Sequence, residues 1–180
     1  MNRNRAASCG SGGVEHRTNM AIVTPYSHLH ALVIDDQPAQ QATLRGHLNL
    51  LGVGKVDGAT NPDAALKQVR RTDYQLILCD YNLETRTDGQ QLLEHLRESG
   101  AMPADCLFFM ITAEAGYASV AATSEYSPDA YMLKPATASD IAERLKAGLD
   151  RRSAVLPVMQ ALKAQDLDRA VFECDEAVSR

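Results

Sequence analysis

The chain has 180 residues, is 45% hydrophobic and carries a formal net charge of −5, with a sequence pI of about 5.5. That length and apolar fraction support one domain with a sizeable core plus an appendage. The acidic balance argues against the broad basic surface of a nucleic-acid binder, and no apolar run approaches the roughly 18 residues of a membrane span, so neither nucleic acid nor a membrane is an expected partner.

Met1 to Met20 is polar, rich in Ser, Gly and Arg, and lacks the apolar core of a signal peptide. Residues 1–27 are therefore expected to be a disordered leader or tag, with Met20 offering a natural start or the junction of a tag. The four cysteines, Cys9, Cys79, Cys106 and Cys174, show no CxxC spacing. Cys79 and Cys106 fall in apolar runs and read as small buried hydrophobes, which fits a reducing, cytoplasmic setting.

From Ala31 onward strand and helix signals alternate. A first strand, Ala31 to Asp35, precedes a helix opening at Gln37-Pro38, with proline at its favoured first position. Leu44, Leu48 and Leu51 recur there at helical spacing, and Gly52 stops the helix. A short second strand, Lys55 to Ala59, leads to Asn61-Pro62-Asp63, a strong helix cap, followed by Ala65, Leu66 and Val69. The third strand, Leu76-Ile77-Leu78-Cys79, ends at Asp80. Asp88-Gly89 then opens a third helix with Leu92, Leu93 and Leu96 turned inward.

The fourth strand is Cys106 to Ile111, ending at Thr112, and an Ala-rich fourth helix is expected from Tyr117 to Ser124. The fifth strand, Ala130 to Leu133, ends at Lys134-Pro135. Thr137 with Asp140 has the spacing of a capping box opening a fifth helix that buries Ile141, Leu145 and Leu149. Five such units with right-handed crossovers specify an α/β, doubly wound parallel sheet. The strand order 2-1-3-4-5 is expected because it makes strands 1 and 3 neighbours at the switch point.

Ligand sites in such sheets lie beyond the carboxyl ends of the strands. Asp35, Asp36, Asp80, Thr112 and Lys134 would then converge. Carboxylates this close repel by about 4 kcal/mol per pair at an effective dielectric of 20, so the cluster calls for a neutralising partner. Hard oxygen donors with open positions suit Mg²⁺, which keeps waters and welcomes phosphate, and the backbone carbonyl of Asn82 is a further candidate ligand. Asp80 can also attack phosphorus to form an acyl phosphate, with the metal and Lys134 stabilising the developing negative oxygens. Thr112 can donate a hydrogen bond to a phosphoryl oxygen. The Lys134-Pro135 bond is a candidate for the cis form, since proline makes that inexpensive.

Taken singly, Asp35-Asp36 reads as a helix-capping turn and Asp80 as a helix-dipole partner. As a set, in this order and spacing, Asp35-Asp36, Asp80, Thr112 and Lys134-Pro135 resemble the receiver domain of bacterial two-component response regulators, over about Leu29 to Asp150. The resemblance implies a flavodoxin-like fold and Asp80 as phosphoacceptor. It implies that Asp35, Asp36, Asp80 and the Asn82 carbonyl hold Mg²⁺ and that Thr112 and Lys134 read the phosphoryl group. It makes Tyr131 a switch aromatic, packing inward on activation, and makes the positions of Asn82 and Glu114 tuners of phosphoryl lifetime. Two positions depart from the family pattern. The loop Tyr-Asn-Leu-Glu-Thr-Arg-Thr-Asp-Gly after Asp80 lacks the usual proline and is about one residue longer, and Ala136 stands where Phe is common.

The five histidines, His16, His28, His30, His47 and His95, have no metal-binding spacing, and His47 and His95 are expected on helix surfaces. With no phosphotransfer histidine, the donor is expected on another protein: a sensor histidine kinase or phosphotransfer protein. Domain boundaries are read as 28–150 for the receiver and 151–180 for a helical extension. Gln165-Asp166-Leu167-Asp168 reads as a turn between two helices. The run Ala164 to Ala170, followed by Cys174 and Ala177, resembles the turn and second helix of a tetratricopeptide repeat. One such repeat cannot bury its own face, so an output protein is expected at the C-terminal helices, and a homodimer is compatible with the exposed face of the fourth helix, fifth strand and fifth helix. Two other readings carry the same residues: a pseudo-receiver acting as a dimerisation scaffold, and an aspartyl-phosphate phosphatase. The phosphatase would need a second carboxylate two residues after the nucleophile, where Asn82 stands.

Overall fold

The computed structural model describes residues 25–83, 86–114 and 126–178. In chain order they form β1 (His30–Ile34), α1 (Pro38–Leu50), β2 (Lys55–Ala59), α2 (Pro62–Val69), β3 (Leu76–Asp80), α3 (Gly89–Glu98), β4 (Leu107–Thr112), β5 (Ala130–Leu133), α4 (Ala138–Lys163) and α5 (Leu167–Val178). The expected helix at Tyr117 to Ser124 lies outside the described residues. All strand pairs are parallel, and the order is β2-β1-β3-β4-β5, as expected.

The near-continuous apolar runs of β1, β3 and β4 follow from burial on both faces. Successive side chains point to opposite sides of the sheet. Leu32, Ile34, Ile77, Cys79, Phe108 and Met110 join one core with residues of α2 and α3. Ala31, Val33, Leu76, Leu78, Phe109 and Ile111 join another with Leu44 and Leu48 of α1 and Ile141 and Leu145 of α4. At roughly 25 cal/mol per Å² of apolar surface, this double burial is the main stabilising contribution to the sheet.

Helix starts follow the local chemistry. Asn61 Oδ1 accepts the Ala64 N–H at 2.9 Å. Asp88 with Gln91, and Thr137 with Asp140, form reciprocal capping boxes, each satisfying two backbone donors that a helix start leaves open. Where β3 passes into α3 the chain is crowded: a Cβ on Gly89 would sit 2.4 Å from the Asp80 carbonyl oxygen. Glycine is thus required by close approach of the backbone.

α4 runs unbroken through Arg151, Arg152 and Pro157 to Lys163, across the position read as the boundary between receiver and helical extension. Arg151 donates to the Asp129 carbonyl at 3.1 Å and Arg152 pairs with Asp105, so the helix is held where it leaves the sheet. The chain then turns with Gln165 at φ 58°, the Gln165 and Asp166 N–H groups bonding back to Leu162 and Ala161, as at other left-handed helix ends. Asp166 Oδ1 accepts the Arg169 N–H at 3.0 Å and starts α5. One expectation is corrected: His47 is half-buried on α1, whereas His95 is exposed as expected.

Phe108 is fully buried between β4 and the α2–α3 layer. Phe108→Ala is expected to lower unfolding free energy by about 3–5 kcal/mol in urea denaturation, while Leu50→Ala, at an exposed position, should change it by less than about 0.5 kcal/mol.

Candidate functional site

The carboxyl ends of β1, β3, β4 and β5 each deliver one polar group into the same region. Asp35 directly follows β1. Its N–H donates to the Ala59 carbonyl of β2 at 3.1 Å, which fixes the backbone, and its Oδ1 accepts the Gln37 N–H at 2.9 Å. That second bond serves the start of α1, since the Gln37 side chain makes no cap bond of its own. Asp80 is the last residue of β3. The following Tyr81 N–H bonds to Ile111 of β4 at 2.8 Å, and the Asn82 N–H donates to the Asp80 carboxylate. Thr112 ends β4, and its carbonyl accepts the Lys134 N–H at 2.8 Å, tying Lys134 to the sheet edge. The Lys134-Pro135 bond is cis.

Lys134 Nζ donates to Asp80 Oδ2 at 2.7 Å and to Asp35 Oδ2 at 3.2 Å. Asp35, Asp36 and Asp80 each present an oxygen within 4.8 Å of the others. The fold therefore brings Asp35, Asp36, Asp80 and Lys134 together from positions spread over 99 residues of chain. Asp35, Asp80 and Thr112 are the buried polar residues of the described chain. Thr112 Oγ1 accepts the Glu114 N–H at 3.1 Å, so the hydroxyl is engaged by its own loop. Tyr131 is half-buried against the α2–α3 core, as is Tyr81, and its phenolic oxygen is buried with no hydrogen-bond partner among the described residues. Asn82 is exposed.

Three carboxylates facing one ammonium leave a surplus of two negative charges if all are ionised (−3 + 1). Burial pushes the Asp80 carboxyl above its ordinary value, and the Asp35 charge adds to this, against the hydrogen bond and charge of Lys134 and the Asn82 N–H. Burial pulls Lys134 down, but its hydrogen bonds and charge attraction to Asp80 and Asp35 outweigh it and raise the ammonium. Lys134 thus stays charged and offsets part of the repulsion. The donor set that remains, hard oxygens with net negative charge at the surface end of a sheet, fits a small divalent cation that retains water. The spacing signals had identified every member of this cluster. They had shown Gly89 only at the opening of the third helix, since its close approach to the Asp80 carbonyl exists only in the folded chain.

Residues 31–146 match the family model described as response regulator receiver domain. The transcriptional regulatory protein ResD of Bacillus subtilis (strain 168) is 32% identical over 122 residues, covering 68% of this chain and 48% of that protein. The sensor protein EvgS of Escherichia coli (strain K12) is 36% identical over 88 residues, 49% of this chain and 7% of that protein. The chain thus spans about half, or less, of the length of these curated relatives. Among solved structures, the response regulator protein TrrA from Thermotoga maritima, in complex with Mg(2+)-BeF, superposes with a TM-score of 0.58 at 25% identity, over 67% of this chain and 98% of that one. A receiver domain protein from Clostridium thermocellum gives 0.58 at 18% identity, over 71% and 98%.

Because the Asp80 pKa is raised on folding, the stability tied to its neutral form is present below the unfolded value of 3.8 and is lost as pH rises through the raised value. Ionised Asp80 is therefore a net cost to the metal-free fold near neutral pH. Asp80→Asn is expected to raise the urea midpoint at about pH 7 in chelator-treated buffer and to flatten its dependence on pH above 3.8; an unchanged or lowered midpoint would contradict this electrostatic account.

Proposed function

The chain belongs to the response regulator receiver domain family, and on that footing we propose that it accepts a phosphoryl group on Asp80 from the phosphohistidine of a sensor kinase or phosphotransfer protein. The observation that carries this reading is the buried Asp80 carboxylate held at 2.7 Å by Lys134, beside Asp35 and Asp36. We assign residues 28–150 to this receiver function and 151–180 to a helical extension that carries the output contact.

In the proposed reaction an Asp80 oxygen attacks phosphorus, the N–P bond of the donor breaks, and its electron pair returns to the imidazole nitrogen. Asp35, Asp36, Asp80 and the Asn82 carbonyl would hold Mg²⁺. Bound there, the cation neutralises the carboxylates and the phosphoryl oxygens. Lys134, already on Asp80, supplies a second positive charge to the transferring group. Thr112 would exchange its loop partner for a phosphoryl oxygen, and Tyr131, whose phenol lacks a partner among the described residues, would follow inward. The new charge thereby biases two arrangements of the surface around β5 and α4 and alters partner affinity. The protein acts as a signalling module whose chemistry is confined to its own phosphorylation and dephosphorylation. Free thiols at Cys79, Cys106 and Cys174, together with no described helix long and apolar enough to cross a membrane, support a cytoplasmic setting.

Incubation with acetyl phosphate and Mg²⁺ should label the parent protein and leave Asp80→Asn unlabelled, and chelation should abolish labelling of the parent. Undiminished labelling of the variant would remove Asp80 from this role.

A further inference from the structure

The turn that carries Asp35 and Asp36 joins β1 to α1, and its two ends meet on one atom. The Asp35 N–H donates to the Ala59 carbonyl of β2 at 3.1 Å. Gln41, the fourth residue of α1, donates from Nε2 to the same oxygen at 2.9 Å. A carbonyl oxygen has two lone pairs and only accepts, so both acceptor places on Ala59 are filled from this one turn. Between the two anchors the Gln37 N–H bonds to Asp35 Oδ1 at 2.9 Å, and the Gln41 N–H bonds to the Gln37 carbonyl at 3.0 Å. Residues 35–41 are thus closed into a loop pinned at both ends to the last residue of β2.

β2 leaves space for this contact. Gly58 lies in register with Val33 of β1, whose side chain packs with Leu44 and Leu48 of α1, so a side chain on Gly58 would point toward α1. A Cβ there would lie 2.6 Å from Gln41 Oε1 and 2.8 Å from its Cδ. The Gly58 carbonyl is itself held by Gln68 Nε2 of α2 at 2.9 Å. The strand is therefore tied down, and the Gln41 amide, at the end of a flexible side chain, is what would move. Glycine inside a strand weakens it; here the missing side chain lets Gln41 reach Ala59.

We propose, building on the reading of Asp35 and Asp36 as Mg²⁺ ligands, that Gln41 is a positioning residue for that pair, with Gly58 keeping its path to the Ala59 carbonyl open. Mg²⁺ demands near-ideal octahedral geometry, so a small shift of the turn that carries the two carboxylates lowers affinity. Gln41 acts through the Ala59 carbonyl and the backbone of the turn, not by touching the metal or the phosphoryl group. Neither Gln41 nor Gly58 carries charge, so replacing them with neutral residues alters the geometry of the site and leaves its charge as it is.

Gln41→Met keeps side-chain length and helix propensity but loses the donor, whereas Gly58→Ala keeps Gln41 and displaces its amide. In the full chain each should weaken Mg²⁺ binding, measured by isothermal titration calorimetry, about tenfold, as loss of groups that orient metal ligands does. The double variant should bind no more weakly than either single one, because both changes remove the same contact. In metal-free protein the Asp35 and Gln37 amides should lose protection from hydrogen exchange in both variants, followed by NMR, while the amides of β3 and β4 keep the parent's rates. Parent-like Mg²⁺ affinity in Gln41→Met would overturn the proposal. So would additive losses in the double variant, or exchange that quickens equally in β3 and β4, which would mark general destabilisation. A parent that binds no Mg²⁺ would overturn it together with the reading of Asp35 and Asp36 as ligands; a parent that binds Mg²⁺ no better than Gln41→Met would overturn the role of Gln41 alone.

Discussion

The ammonium of Lys134 between two buried carboxylates is the interaction on which the rest of the site depends. Asp35, directly after β1, and Asp80, at the end of the adjacent β3, have almost no access to solvent, so water screens little of their mutual repulsion. Lys134 touches both. Removing it would leave uncompensated buried charge, which costs several kcal/mol in comparable sites. The lysine reaches this place because its backbone is bonded to the last residue of β4, so the register of β4 with β5 positions it relative to β3 and β1.

The surplus charge that Lys134 does not neutralise makes the metal-free site a source of instability and, for the same reason, receptive to ligand. A carboxylate whose pKa is raised by burial and by a neighbouring Asp gains from any cation or phosphoryl group that removes the conflict. Receiver function and reduced stability thus have one physical origin, and the two-sided apolar packing of β1, β3 and β4 supplies the compensation. The same principle accounts for Gly89: the turn that returns the chain from Asp80 toward α3 passes so close to the Asp80 carbonyl that a side chain cannot be accommodated.

Much of this was legible before folding is considered, because parallel strands announce themselves as apolar runs and their carboxyl ends as the polar residues that stop them. Asn61, Asp88 and Thr137 likewise identified their helices through local hydrogen bonding. Other features were not legible. Asp57 reads as an ordinary residue of a short strand, yet it accepts from His30 at 2.7 Å and Tyr74 at 2.9 Å, partners 27 and 17 positions away that only strand register brings close. A boundary between receiver and helical extension was read at Asp150, and α4 runs on across it, where Arg151 and Arg152 find partners on Asp129 and Asp105. Helix length there is decided by long-range contacts, which composition does not encode.

By itself, the amino-acid sequence determined the alternation of strands and helices, the caps, and the identity of the groups that do chemistry, since each rests on residue type and short-range spacing. Tertiary structure decided which oxygen meets which nitrogen, that Thr112 is held by its own loop, that His47 is half-buried, and that α4 extends past Asp150 to meet α5. These depend on how elements far apart in the chain are packed against one another, and that arrangement is settled by the simultaneous burial of both faces of the sheet.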